Sequence, residues 1–476
     1  MTRHPDQASV NASGETGMTE MSRSLRLSRR DLLKAGGLSA VAIGAAGLAP
    51  QFIGRFVQPA GARGADGIPD LHWAGTDGWI HLPPTPAIPP YHPDPLAPDP
   101  MFTTYMFGFR NVTGMTDPQV INQRMKAQHS APLFWVDQYD PNAPKDFLVK
   151  LSNIGLALRP DLFDSHTIHW HGFKNVIAYF DGEPTGSVSV PPGQSFTYVY
   201  RPHDPGTYMY HCHVEDVEHV HMGMTSLVFV RPLQNGNTTL YASGKYAYND
   251  GDGSTGYDRE FALFLSEVWA EAHWADAHIQ LPEWSDYRAD FAMLNGRVYP
   301  DTIAPNAPTD WSNEGSANSI PVAYDVNGDL VPPDGHPELQ YQPLSALITC
   351  MPGERVLIRM SNLGFKEAAM TMQGMKVRVI GRDATLMRGR DGTDTSYLTN
   401  TMTIGAGESY DAILTAPAFS GGNGTSGHGY DRYVFFNRNL TRANNLAPGG
   451  EGGQRTEVRV YPSGLAAQQY PNDWGM

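Results

Sequence analysis

Two stretches of this 476-residue chain spell nearly the same strand twice. Phe147-Leu-Val-Lys-Leu-Ser-Asn-Ile-Gly155 matches Val356-Leu-Ile-Arg-Met-Ser-Asn-Leu-Gly364, and Pro192-Gly-Gln-Ser-Phe-Thr-Tyr198 matches Ala406-Gly-Glu-Ser-Tyr-Asp-Ala412. A diverged internal repeat restricts the fold, because the two units must share one architecture. In each unit, short alternating strands are separated by Gly, Pro, Asn and Asp turns, which predicts an antiparallel β-sandwich twice over. The 49 glycines, 38 prolines and 17% charged residues agree with turn-rich β structure, and long amphipathic helical patterns are scarce. The boundary is expected near Leu233–Asp258, where Asn, Gly, Asp and Ser cluster.

Outside the repeat the N-terminus has two distinct compositions. Ser28-Arg29-Arg30-Asp31-Leu32-Leu33-Lys34, followed by the apolar run Ala35 to Pro50, has the order of a twin-arginine export signal. The run is shorter than the roughly 20 residues that span a bilayer, and Ala60-Gly61-Ala62 offers a cleavage site, so residues 1–62 are expected to be removed. The mature protein is then expected in the periplasm or outside the cell, with no membrane span. Residues 63–100 are rich in proline and are expected to form an extended arm over a domain, with His72, His81 and His92 as packing or surface residues. Two domains are expected after it, over 101–235 and 245–470. The formal charge of −15 argues against nucleic acid or an anionic membrane as partner, since both need a cationic face.

Two cysteines are too few for a disulfide framework in an exported chain. Cys350, inside the apolar run Leu344 to Met351, is expected to be a buried small hydrophobe. Cys212 has different company. His166-Thr-Ile-His169-Trp-His171-Gly172 and His211-Cys212-His213 gather five histidines and one cysteine, and His219, His221, Met222 and Met224 follow. Strand alternation sends His169 and His171 one way, and turns Cys212 opposite to His211 and His213. One metal can therefore sit at Cys212 and others behind it. A thiolate, two imidazoles and a weak thioether suit copper in both oxidation states, and His166, Cys212, His219 and Met224 supply that blue-copper set, with Met222 as the alternative axial ligand. A lone cysteine among so many histidines is a poor structural zinc set.

His-x-x-His-x-His-Gly with His-Cys-His, then His219 and Met224, resembles the multicopper oxidases, in particular the bacterial two-domain laccase-like group, over roughly Met101 to Ser463. The resemblance implies an all-β fold of two Greek-key cupredoxin-like domains in tandem, assembled as a homotrimer. It implies type 1 copper on His166, Cys212, His219 and Met224, type 2 copper on His169, and a type 3 pair on His171, His211 and His213. Electrons would pass from a donor (a small molecule, a metal ion or a redox protein) through Cys212 to the second centre. Asp181 resembles the acidic residue that relays protons there, and a simple turn aspartate is the other reading of it.

The second repeat departs from that pattern. Ala368-Ala-Met-Thr371-Met-Gln373-Gly374 stands where the first histidine motif would be, and Phe436-Asn437-Arg438 stands where His-Cys-His would be. Thr371, Gln373, Phe436 and Arg438 are therefore expected opposite the four histidines. An atypical copper centre completed by other groups is one expectation, and a non-enzymatic blue-copper carrier is the other. His273 and His278 are candidate replacement ligands, with packing as the alternative, and His336 and His428 lie in loops that nothing singles out. Glu215, Asp216 and Glu218 lie near the type 1 ligands, where they could attract a cationic donor or serve as solvated loop carboxylates.

Overall fold

In a computed structural model, residues 68–476 are described, apart from 176, 312–317, 426 and 448–451. The expected export signal over 1–62 lies outside the described residues. Among the described residues, no helix is long and apolar enough to cross a membrane.

The first half holds eight strands: β1 (Leu71–Ile80), β2 (Thr104–Asn111), β3 (Phe134–Asp137), β4 (Phe147–Asn153), β5 (His169–His171), β6 (Ser195–Tyr200), β7 (Gly206–His211) and β8 (Thr225–Arg231). They form two sheets in the orders β2-β1-β4-β6 and β3-β8-β7-β5. Aromatic rings fill the space between them. Trp73 of β1 stacks on Tyr210 of β7 at 4.8 Å and meets Phe134 of β3 edge-on at 4.9 Å, while Trp170 of β5 stacks on Tyr200 of β6 at 4.3 Å.

The second half repeats this plan. Its strands are β9 (Arg259–Val268), β10 (Phe291–Leu294), β11 (Ile348–Cys350), β12 (Arg355–Asn362), β13 (Ala368–Met372), β14 (Val377–Arg382), β15 (Thr385–Leu386), β16 (Tyr397–Thr399), β17 (Thr401–Ile404), β18 (Ser409–Thr415), β19 (Asp431–Asn437) and β20 (Arg455–Val460). The order β10-β9-β12-β18 copies β2-β1-β4-β6, and β11-β20-β19-β13 copies β3-β8-β7-β5. Even the parallel pairings recur, β1 with β4 as β9 with β12, and β3 with β8 as β11 with β20. Aliphatic and methionine side chains such as Leu263, Ile358, Met370 and Met402 form this core. Cys350 is buried there, and burial pushes its thiol up to about 12.

The repeated Ser-Asn-x-Gly sequence is a corner that both domains close in the same way. Asn153 Nδ2 donates to the carbonyls of Asp164 and Val190, and its Oδ1 accepts from Gly155 N. Asn362 does the same with Lys366, Ile404 and Gly364. A buried amide that satisfies three main-chain groups holds the strand end in one geometry. The two domains are the tandem cupredoxin-like sandwiches that the repeat predicts.

The expected arm over 63–100 needs correction. Residues 71–80 are a buried strand, paired with β2 and β4 and equivalent to β9 in the second half. Pro69 precedes the strand and the next proline is Pro83, so 71–80 keeps all its donors. His72 and His92 are packing residues as expected, with His72 Nε2 at 2.8 Å from Ser152 Oγ and His92 Nε2 at 2.8 Å from the Pro83 carbonyl.

Between the halves runs a buried ionic network. Arg359 of β12 is fully buried, with Nε 2.8 Å from Glu260 Oε1 and Nη1 3.1 Å from Asp411 Oδ1. Its guanidinium lies 4.4 Å over the Phe229 ring, and Nη1 donates to Thr207 Oγ1 at 3.2 Å. Thr207 Oγ1 in turn donates to Asp411 at 2.5 Å, so the strand leading to His211 is tied to β12 and β18. Arg359→Met leaves Glu260 and Asp411 buried without this cation and is expected to cost about 3–5 kcal/mol, read by denaturant unfolding.

Acid stability gives a second expectation. Burial, then Lys150, lowers His72 from 6.5 to about 3, so the folded chain keeps it neutral while the unfolded chain protonates it between these values. This contribution is complete above pH 6.5 and is lost as pH falls towards 3. His72→Gln is expected to reduce the slope of unfolding free energy against pH across that window, by up to about 1.4 kcal/mol per pH unit.

Candidate metal centre

Cys212 leaves the end of β7, and the loop after it folds back on itself. Cys212 N donates to the Met224 carbonyl at 3.0 Å, and Met224 N donates to the His219 carbonyl at 2.9 Å. Between them, helix α1 (Asp216–Met222) presents His219, whose Nδ1 is 3.3 Å from Cys212 Sγ. The helix ends at Gly223 with φ 121°, where a Cβ would come within 2.3 Å of Met106 Cε and 2.7 Å of the Phe107 carbonyl, so only glycine fits. Main-chain pairing thus sets Met224 beside Cys212, and Met222 lies across Gly223 in the helix.

His166 enters from a separate segment, held by a pair of main-chain bonds to Val190 at 3.0 and 2.8 Å. Its ring meets that of His219 edge-on at 5.1 Å, and one ligand atom from each of His166, Cys212 and His219 lies within 4.8 Å of the others. All three, with Met224, have no exposed surface. β1 makes room for His166 with Gly75, where a Cβ would lie 2.7 Å from the imidazole Cδ2.

Two observations test whether these residues fit a metal. Neither ring nitrogen of the buried His166 has a hydrogen-bond partner, a costly arrangement unless a cation takes the lone pair. Burial alone would raise the Cys212 thiol, but His219 and the amide of Thr167, 3.4 Å from Sγ, hold it below its ordinary value. Burial alone would lower His219, yet the Cys212 charge and Asp164 hold it up at about 10. The Cys212 sulfur and the His219 ring nitrogen thus face each other at 3.3 Å, and a metal ion would take the place of a proton between them. With sulfur, two imidazoles and a thioether, the donor set fits copper.

The remaining histidines form a second cluster behind Cys212. β5 and β7 pair so that His169 stands opposite His211, and His213 follows on the far side of Cys212. Ring centroids are 5.3 Å apart for His169 and His211, 5.0 Å for His169 and His213, and 5.8 Å for His171 and His211. His169 Nδ1 donates to the Asp181 carbonyl at 2.8 Å, and His211 Nδ1 donates to the Cys212 carbonyl at 2.8 Å, which leaves each Nε2 lone pair free. Burial lowers His169 and His171, and lowers His211 to about 3, so these rings are neutral donors. The Asp181 carboxylate is 3.3 Å from His169 Nδ1, beside the cluster.

The second domain keeps the frame and loses the ligands. Thr371 pairs with Phe436 in the register of His169 with His211. Asn437 takes the place of Cys212, its Oδ1 accepting from Ala369 N at 3.3 Å as the thiol accepts from Thr167 N. Its Nδ2 donates to Gln454, so the buried position is satisfied without a metal. One expectation needs correction: within the chain, Gly407 and Asp383 are brought against the cluster, rather than Thr371, Gln373, Phe436 and Arg438. A Cβ on Gly407 would lie 3.2 Å from His171 Nε2, and Asp383 acts electrostatically on the same ring. The physical reason is that β7 packs on β12 and β18, away from the β13 and β19 row.

Other candidates are engaged elsewhere. His273 Nδ1 donates to the Tyr105 carbonyl at 2.6 Å, His278 lies 3.0 Å from Asp94, and His221 Nε2 accepts from Trp269 N at 3.0 Å. Glu218 turns towards Asp276; burial, followed by Glu218, raises Asp276 to about 8, while Glu215 and Asp216 are exposed. Sequence reasoning missed Asp164, whose Oδ2 is 3.5 Å from His219 Nε2, and Gly75; nothing in the letters separates Asp164 from its neighbour Asp161.

Known proteins are similar to parts of this chain. Residues 148–235 match the sequence model described as multicopper oxidase. Multicopper oxidase MmcO of Mycobacterium tuberculosis is 24% identical over 264 residues, 54% of this chain and 42% of the relative. Ceruloplasmin of Mus musculus is 35% identical over 71 residues, 15% of this chain and 6% of that protein, so the chain spans less than half the length of either curated relative. The blue copper oxidase from Nitrosomonas europaea superposes with a TM-score of 0.50 at 19% identity, covering 82% of this chain and 85% of that one, which is a likeness of fold. The matched residues 148–235 contain Cys212 and its histidines, so this part of the chain is similar to the multicopper oxidases, within a tandem cupredoxin-like fold.

Proposed function

We propose that this chain is an exported copper-dependent oxidoreductase, with type 1 copper held by His166, Cys212, His219 and Met224, and one or more further coppers held by His169, His171, His211 and His213. The observation that carries the reading is the fully buried His166 imidazole, unpartnered at both nitrogens and grouped with the Cys212–His219 pair. Copper in such a set supplies reversible one-electron chemistry with little rearrangement.

The chain's own residues provide the connection between the two clusters. His211 and His213 are covalent neighbours of Cys212, and the His211 imidazole is hydrogen-bonded to the Cys212 carbonyl. Asp181, against His169, is placed to hold or hand on a proton there. On the donor side, Asp164 covers the otherwise buried His219 and retains 11% side-chain exposure, so a small molecule, a metal ion or a redox protein would approach there.

The second reading, a blue-copper carrier without catalysis, is favoured by the metal-free solution at Asn437. Metal analysis of the purified protein separates the two. More than one copper per chain, with oxygen or nitrite consumed from a reduced donor, is expected for the oxidoreductase, whereas a single copper and no turnover indicates the carrier. Cys212→Ser is expected to abolish the blue band and remove one copper. His169→Ala with His213→Ala should keep the blue band and lower the copper content; an unchanged copper content would sink the second centre.

Export rests on the arginine pair of the leader. Replacing Arg29 and Arg30 by lysine is expected to retain the protein in the cytoplasm, read by cell fractionation. A homotrimer is part of the same proposal, checked by light scattering.

A further inference from the structure

The end of β1 and two short turns far along the chain bring together four side chains that the proposed redox function does not use. His81 follows β1, Asp301 opens the turn Asp301–Ile303, and His336 and Glu338 flank the start of the turn Pro337–Leu339. One ligand atom from each of Asp301, His336 and Glu338 lies within 4.8 Å of the others, and His81 Nε2 is 3.9 Å from Asp301 Oδ2. None of this is visible in sequence, where the four are spread over more than half of the mature chain.

Hydrogen bonding shows what the group lacks. His81 Nδ1 is 2.7 Å from the Met101 carbonyl, and since a carbonyl only accepts, Nδ1 carries the proton. His81 Nε2 then faces the Asp301 carboxylate at 3.9 Å, a distance too long for a hydrogen bond. A cation between them would be bound by both, and an imidazole fixed through Nδ1–H to a carbonyl is the orientation in which metal-bound histidines are held. The nearby Arg297 directs its Nε and Nη1 at the carbonyls of Gln342, Asp301, Ala304 and Pro305 rather than at the carboxylates.

The four groups are also held in place and sheltered. His81 N donates to Gln342 Oε1 at 2.9 Å, and Gln342 Nε2 donates back to the His81 carbonyl at 2.8 Å. His336 Nδ1 is 2.9 Å from Glu338 Oε1. Side-chain exposures run from 18% for Asp301 to 34% for His336, open enough for entry of an ion and closed enough to strengthen its binding.

We propose that His81, Asp301, His336 and Glu338 form a divalent-cation site of the Zn2+ class, which clips the 295–347 segment to the end of β1. Two imidazoles and two carboxylates, with no sulfur, offer the nitrogen and oxygen donors that Zn2+ takes. Among its described residues the segment they tie down has no named strand, so an ion there would add stability that backbone pairing does not provide.

The test starts from metal-free full-length protein dialysed against Zn2+, with bound metal counted. The double variant Asp301→Asn/His336→Ala is expected to bind one Zn2+ fewer than the wild type, and to show the same blue band after copper loading. Equal Zn2+ counts overturn the proposal. A second measurement needs no variant: Zn2+ is expected to slow modification of His336 by diethyl pyrocarbonate at least about tenfold. An unchanged rate, mapped by peptide mass spectrometry, overturns it equally.

Discussion

A fully buried guanidinium sets the terms for the rest of this molecule. Arg359 cannot lie between two sandwiches unless its charge is met, and Glu260, Asp411, Thr207 and the Phe229 face meet it from both halves. Such an ion is expensive to bury and more expensive to strand, so only one relative placement of β7, β12 and β18 satisfies it. β7 ends in His211 and runs directly into Cys212. The ionic network that joins the halves therefore also anchors the strand that delivers the metal-binding residues.

The two domains show how little separates a metal site from an inert core position. The frames agree in strand order, in parallel pairings and in the asparagine corner. At Cys212 the first domain places a soft sulfur beside one imidazole, with another imidazole left unpartnered. At Asn437 the second domain places an amide that finds both an acceptor and a donor. The first arrangement is incomplete without an ion, and the second needs none. Conservation of frame with exchange of chemistry explains why the repeat could be read and the ligand set could not be doubled.

What could be read from the letters follows from the range of the interactions. Ser-Asn-x-Gly is a local corner, so its recurrence exposed the repeat. His169, His171 and His211 lie on strands whose alternation is regular, and Cys212 follows His211 directly, so their two-sided arrangement was legible. β1 was misread because Pro83 to Pro100 lent their character to a strand that contains no proline. Asp164, Gly75 and Gly407 left no signal, since each matters only for what comes near it from a distant segment.

By itself, the sequence determined a tandem β architecture and one intact set of copper-type ligands, because hydrophobic alternation and ligand chemistry are properties of neighbouring residues. Tertiary structure alone decided that β1 is a core strand, that Gly407 and Asp383 lie against His171, and that His81 meets Asp301, His336 and Glu338. Those relations join residues tens to hundreds of positions apart. They arise from how sheets stack and where a buried charge must be neutralised, and no local pattern encodes either.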